Sequence, residues 1–187
     1  AGSVGLPVPE VEMSIRADDG TPLPTGEVGE ICVRGPNVMK GYWKRPEETQ
    51  ESFFGEWFRT GDLGHCDEDG YFYIVDRKDN MIITGGEHVY PNDVEAVICT
   101  HPKVEDVAVV GLPDEKWGEA VHAVVILKPG QTMRESTIAK HCIGKMAGYK
   151  KPKGVTFILR EEMPRTATGK IRHRSLRKLI RKRLGIS

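Results

Sequence analysis

Near the end of the chain the stretch "PRTATGKIRHR", residues 164–174, sets a Gly-Lys pair behind two threonines and among arginines. Those residue types suit contact with phosphate. A Walker loop is excluded by spacing. It needs a glycine, for close backbone approach, where this stretch has Pro164, and a Ser or Thr, for magnesium, where it has Ile171. Lys170 is therefore expected to work as a single ammonium carried on a pliable loop. Taken alone, the same residues also fit a solvated basic loop ahead of a basic helix.

Two other stretches carry chemistry. In "GEWFRTGDLG", residues 55–64, Asp62 follows Thr-Gly at the expected start of a strand. A carboxylate so placed can accept hydrogen bonds from two vicinal hydroxyls, as acidic residues do on ribose. A lone Thr-Gly-Asp also marks an ordinary turn. In "YFYIVDRKDNMIITGGEHVYPNDVE", residues 71–95, Arg77 precedes the polar run Lys78, Asp79 and Asn80, which suits a short hinge. Gly85 and Gly86 then let a backbone come close to a ligand. The four cysteines show neither C-x-x-C nor metal-ligand spacing, so no metal site is expected. Cys32, Cys99 and Cys142 lie in or beside apolar runs and read as buried thiols of a reducing, cytoplasmic compartment.

These residues need a scaffold, and its pattern changes partway along the chain. "VEMSIRADDGTPLPTGEVGEICVRG" reads as two strands around an Asp-Gly turn and a proline loop. "GHCDEDGYFYIVDR" reads as a hairpin with Tyr71, Tyr73 and Val75 on one face, Phe72 and Ile74 on the other. After Pro91 come a helix with Val94, Val97 and Ile98 on one side, strands "VEDVAVVGL" and "EAVHAVVILKPG" around a "PDEKWG" loop, and an amphipathic helix "RESTIAKHCIGKM". A strand "GVTFILR" and a final helix striped by Leu176, Leu179, Ile180 and Leu184 follow. Net charge is zero, yet residues 1–76 hold 6 Lys and Arg against 15 acids, and residues 77–187 hold 21 against 12, giving −9 and +9. Such polarity suggests two lobes, the basic one meeting an anionic ligand or the acidic lobe itself. The basic last helix raises nucleic-acid binding, but it has no aromatic platform or recognised motif beside it, so a solvated face is expected. No apolar run approaches a membrane span, and no signal peptide is visible.

Taken jointly and in order, these motifs resemble the adenylate-forming enzymes: acyl-CoA synthetases, aryl-CoA ligases, carrier-protein adenylation domains and beetle luciferases. The resemblance runs from "GSVGLPVPEVEMSI" through "GEICVRGPNVMKGYWKRPEET" and "GLPDEKWGEAVHAVVILKPG" to "PRTATGKI". It implies an α+β chain in which residues 1–76 are the β-rich end of a large AMP-binding domain. Residues 77–82 are then a hinge, and residues 83–187 a small mobile C-terminal domain. It also implies roles: Asp62 on the ribose of the adenylate, Arg77 near ribose and phosphate, Asp79 as the hinge residue, and Gly85 and Gly86 along the pantetheine tunnel of coenzyme A. His88 falls where some relatives have a glutamine facing AMP, and Lys170 matches the lysine that closes over the adenylation site. Trp117 falls on the coenzyme A side or packs in its loop. The implied ligands are ATP, AMP, coenzyme A, a carboxylic acid and Mg2+, the last mainly through an N-terminal portion not present here. The glycine- and threonine-rich phosphate loop and the acyl pocket are absent, and the chain begins without Met. A fragment inactive by itself is therefore expected. Coenzyme A ligation is the expected chemistry; carrier loading, a luciferase-type reaction and a non-catalytic binding module are the alternatives.

Overall fold

In the first part of the chain, short side chains of Asp organise the turns and thereby the strand pairing. Asp19 Oδ1 accepts the Thr21 amide at 2.9 Å, and Asp67 Oδ1 accepts those of Asp69 and Tyr71 at 3.1 and 2.9 Å. Such local bonds offer the backbone a turn in place of a continued strand. The computed structural model describes residues 2–186, and the chain divides into two units, Ala1–Asp79 and Asn80–Ser187.

Unit 1 contains β1 (Glu12–Arg16), β2 (Gly29–Arg34), α1 (Pro46–Glu51), β3 (Phe53–Phe54), β4 (Trp57–Cys66) and β5 (Phe72–Arg77). The strands form one antiparallel sheet in the order β1-β2-β4-β3, with β5 also paired to β4. Its apolar core is small: Ile15, Ile31 and Phe72, with Met13, Leu23 and Cys66 against them. Phe72 is buried, but Ile74, expected beside it, is 48 % exposed. The two share a strand face, yet the core residues cover only the Phe72 end.

Unit 2 contains β6 (Ile82–Thr84), β7 (Glu87–Val89), α2 (Pro91–Cys99), β8 (Val104–Asp114), β9 (Gly118–Leu127), α3 (Glu135–His141), β10 (Gly154–Phe157) and α4 (His173–Leu184). β9 is central. It pairs antiparallel with β8 along its length, parallel with β10, and through Gly118 with Thr84 of β6. The unbroken apolar runs of β8 and β9 follow from burial on both faces. Val107, Val109, Val121, Ala123 and Val125 pack with Val94 and Ile98 of α2 and Ile138 of α3. Ala108, Val110, Val124 and Ile126 pack with Leu176 and Ile180 of α4. Each fully buried Val, Ile or Leu contributes about 1.5–3 kcal/mol relative to exposure. The fold class is α+β.

Four expectations change. The helix expected over 134–146 ends at His141, because Cys142 turns into the core and Gly144 is a poor helix former. The strand expected over 154–160 stops at Phe157 and gives way to a 3-10 turn at Arg160–Glu162. The loop between β8 and β9 shrinks to residues 115–117, since the ladder continues to Asp114–Gly118. Cys99 is exposed rather than buried. Among the described residues no helix is long and apolar enough to cross a membrane.

Candidate active site

Asp62 lies in the middle of β4 rather than at a strand start, and a bulge presents it. Between Glu30↔Leu63 and Cys32↔Arg59 the ladder holds one residue on β2 but Thr60, Gly61 and Asp62 on β4. Gly61 sits at φ +73°, which a side chain would strain. Thr60 Oγ1 ties the bulge on both sides: it donates to the Ile31 carbonyl at 2.8 Å and accepts the Asp62 amide at 3.1 Å. The Thr-Gly-Asp sequence thus makes a rigid irregularity in a strand, not a turn.

Across the β4–β5 ladder Asp62 is the partner of Arg77. Arg77 Nη1 lies 3.1 Å from Asp62 Oδ1, with the side chains 61 % and 27 % exposed. A pair this open contributes little to stability. It leaves both groups free to exchange each other for a ligand. Beside the bulge an open cleft of about 780 Å³ is lined by Glu30, Tyr42, Arg59, Thr60, Lys78 and Asp79 among others.

Sequence reasoning missed the residue that anchors this region. Glu30 is 3 % exposed and accepts hydrogen bonds from Arg59 at 3.0 and 3.2 Å, Lys78 at 3.0 Å and the Gly61 amide at 3.2 Å. Burial works against its ionisation, but the bonds and charges of Arg59 and Lys78 prevail and hold its carboxyl below the usual range. The same partners act in reverse on Lys78. Burial there is outweighed by Asp18 and Glu30, and the ammonium is held above its usual range. The one signal in the sequence was an acid inside the apolar strand "GEICV". Lys78, expected to be part of a polar hinge, is bound into unit 1. Asp79, the last residue of that unit, is exposed.

In unit 2 the structure puts Gly85, Gly86 and His88 on one hairpin. Gly85 and Gly86, at φ +61° and +85°, make the two-residue turn between β6 and β7. The Gly85 amide donates to the Trp117 carbonyl at 2.8 Å. A Cβ on Gly85 would stand 2.7 Å from the Trp117 ring, whereas one on Gly86 would meet nothing within 4 Å. Lys116 and Lys153 place their Nζ atoms 4.7 and 4.4 Å from the centroid of the same ring. Indole, two cations and a bare backbone turn therefore meet at one surface. His88 is exposed on β7.

Lys170 stands on a separate hairpin. Arg165 and Ile171 bridge antiparallel, the Thr166 amide donates to the Lys170 carbonyl at 2.8 Å, and the Lys170 amide donates to Thr166 Oγ1 at 3.1 Å. Arg165 donates to the Gly169 carbonyl at 2.7 Å and pairs with Asp106. The loop expected to be pliable is thus closed by its own hydrogen bonds. The Lys170 side chain is exposed and has no bonded partner among the described residues.

The profile of the AMP-binding enzyme C-terminal domain matches residues 93–170, and that of the AMP-binding enzyme matches residues 1–43. The 2-succinylbenzoate–CoA ligase of Geobacillus kaustophilus is 46 % identical over 181 residues, 97 % of this chain and 36 % of that protein. The chain belongs to the AMP-binding enzyme superfamily. Within the superfamily, a long-chain-fatty-acid–CoA ligase of Escherichia coli O6:H1 is 45 % identical over 95 % of this chain and 31 % of its own length. The ATP-bound MatB of Rhodopseudomonas palustris superposes with a TM-score of 0.89 at 40 % identity, covering 95 % of this chain and 35 % of MatB. The chain spans about a third of the length of these AMP-binding relatives.

Proposed function

We propose that the chain is the C-terminal part of an AMP-forming acid–thiol ligase. In that reaction a carboxylate attacks the α-phosphate of ATP, giving acyl-AMP and pyrophosphate. The thiol of coenzyme A then displaces AMP to give the thioester. The observation that carries the reading is the Asp62–Arg77 pair, presented by a glycine bulge and left open enough to exchange its ion pair for a ligand. Asp62 accepts the ribose hydroxyls and Arg77 approaches ribose and phosphate. Lys170, exposed and unpartnered, places its ammonium on oxygens that gain charge as the α-phosphate is attacked, a contact stronger in the transition state than before it. Asp79 is the pivot within a hinge at 77–82, between an AMP-binding portion at 1–76 and a mobile domain at 83–187. Gly85 and Gly86 leave the pantetheine arm a path, with the Trp117 ring and its two lysines alongside, and His88 faces AMP.

ATP as ligand is supported by the ATP-bound MatB structure. Magnesium accompanies ATP. Among the described residues no group of three or more His, Cys, Asp and Glu could hold a metal ion, and no residue of this chain is assigned to magnesium. The named relatives act on 2-succinylbenzoate and on long-chain fatty acids. The acid here is selected by residues outside this chain, as are most ATP phosphate contacts, so the chain by itself is expected to show no carboxylate-dependent pyrophosphate exchange.

Single-turnover kinetics of the two half-reactions in the parent enzyme test the proposal. Lys170→Ala is expected to slow acyl-adenylate formation by about 10²–10³-fold while still converting preformed acyl-adenylate to thioester. Gly86→Leu is expected to do the reverse, because its side chain obstructs the thiol and not ATP. Equal slowing of both steps by both variants would overturn the assignment.

A further inference from the structure

Glu30 is more thoroughly bonded than a structural strand residue requires, and its partners are the neighbours of the residues assigned above. Arg59 Nη2 and Nε donate to its Oε2 at 3.0 and 3.2 Å, and the Gly61 amide donates to its Oε1 at 3.2 Å. Lys78 Nζ donates to Oε2 at 3.0 Å and reaches Asp18 at 2.5 Å. Gly61 directly precedes Asp62, while Lys78 lies between Arg77 and Asp79. A carboxylate buried this fully is tolerated only when paired and hydrogen-bonded. Here two cations and one amide supply that. Without Glu30, Arg59, Lys78 and the bulge would each lose a common acceptor, and nothing else in β2 could replace it.

We propose that Glu30 is a positioning residue that holds the Thr60–Asp62 bulge and Lys78 in a single frame. It thereby fixes the nucleotide carboxylate Asp62, its partner Arg77 and the pivot Asp79 against one another. The inference rests on the functional reading above for the roles of Asp62, Arg77 and Asp79; the clamp itself is independent of that reading. Glu30 touches no reacting atom in this account and acts through Gly61, Arg59 and Lys78. Its loss should therefore appear in both half-reactions. A ribose contact loosened through Gly61 is lost alike from ground and transition states, so it raises the ATP KM and leaves kcat nearly unchanged. A pivot released at Lys78 slows the second step.

The test is Glu30→Gln in the full-length parent enzyme, which keeps the shape and removes the charge. Hydrogen exchange reports the clamp directly: the Gly61 amide and the amides of residues 78–80 are expected to exchange about tenfold faster than in wild type, as expected for a lost charge-assisted bond. Kinetics per folded site report its purpose. The ATP KM of adenylation should rise about 10-fold or more with kcat little changed, and the single-turnover rate of thioester formation from preformed acyl-adenylate should fall by a similar factor. Lys78→Met removes one arm of the clamp at its partly exposed end and serves if Glu30→Gln does not accumulate. It should slow the thioester step more than it raises the ATP KM. Unchanged exchange at Gly61 would overturn the clamp. Faster exchange with KM and both half-reaction rates within twofold of wild type would overturn the positioning role and leave a purely structural ion pair. Absence of acyl-adenylate from the wild-type parent would instead overturn the functional reading, and the kinetic role with it, while the exchange result still decided the clamp.

Discussion

Unit 2 covers both faces of β8 and β9 with helices. Unit 1 leaves Val4, Leu6, Val8 and Ile74 exposed and keeps a glutamate at the centre of its bonding. The difference teaches where each is vulnerable. In unit 2 stabilisation is spread over many aliphatic contacts, so any one loss is a matter of volume. In unit 1 the small core is supplemented by a charged node, so sensitivity concentrates on one carboxylate. The residues to which function is proposed divide in the same way. The bulge bearing Asp62 is shaped by polar bonds within unit 1, whereas Lys170 and the Gly85–Gly86 turn sit at the edges of a stiff apolar framework.

The comparison is most directly probed by Leu176→Ala, which should cost unit 2 about 2–5 kcal/mol as a cavity opens under α4; denaturant unfolding measures it. Close behind, Glu30→Ala should cost unit 1 about 3 kcal/mol, because Arg59 and Lys78 lose their buried acceptor. Should that variant lose less than Leu176→Ala by a wide margin, the charged node is not what organises unit 1. Acid should select unit 2. Burial pushes the His122 imidazole down to about 4, and its Nε2 lies 2.9 Å from Thr156 Oγ1. The unfolded chain takes up the proton first, so the stability held above the ordinary histidine range, about 6.5, is lost as pH falls from there towards 4. His122→Gln should flatten that part of the stability–pH curve, measured by denaturant titration at several pH values. Gly85→Ala combines φ +61° with a Cβ 2.7 Å from the Trp117 ring and should cost about 1–3 kcal/mol, accompanied by a shift in tryptophan emission. At the small end, Ile74→Thr on the exposed face of β5 should stay within about 0.5 kcal/mol of wild type. A larger loss would mean that this face of unit 1 is covered in solution.

How much of this could be read in advance follows from the range of each interaction. The strands flanking the Asp turns, β8, β9, α2 and α4 were legible because periodicity, Pro91 and the Asp turns are local signals, whereas β3 and the β6–β7 hairpin carry too few residues to show a period. The Arg165–Ile171 hairpin was not, since two threonines and a glycine suggest mobility unless their mutual hydrogen bonds are known. Asp62 was legible as a carboxylate after Thr-Gly, but its place on a mid-strand bulge depends on the β2–β4 register, to which residues some thirty positions apart contribute. Glu30 was missed for the same reason: its donors come from β4 and from Lys78, and only the assembled sheet brings them together. The contact between Gly85 and Trp117 likewise spans two strands, so the glycine looked merely permissive when it is also sterically required.

The hairpin that carries Lys170 also has a consequence for the timing of costs. Immobilising a long side chain's backbone at each turnover would take conformational entropy from the catalytic step, about 1–2 kcal/mol for every residue ordered. Here Thr166, Gly169 and Arg165 impose that order when the domain folds. In the proposed reaction the loop arrives already structured. On that proposal, what remains to be organised in each cycle is the lysine side chain itself and the proposed movement of the domain that bears it. The temperature dependence of adenylation should therefore reflect a collective motion and not the freezing of a flexible loop.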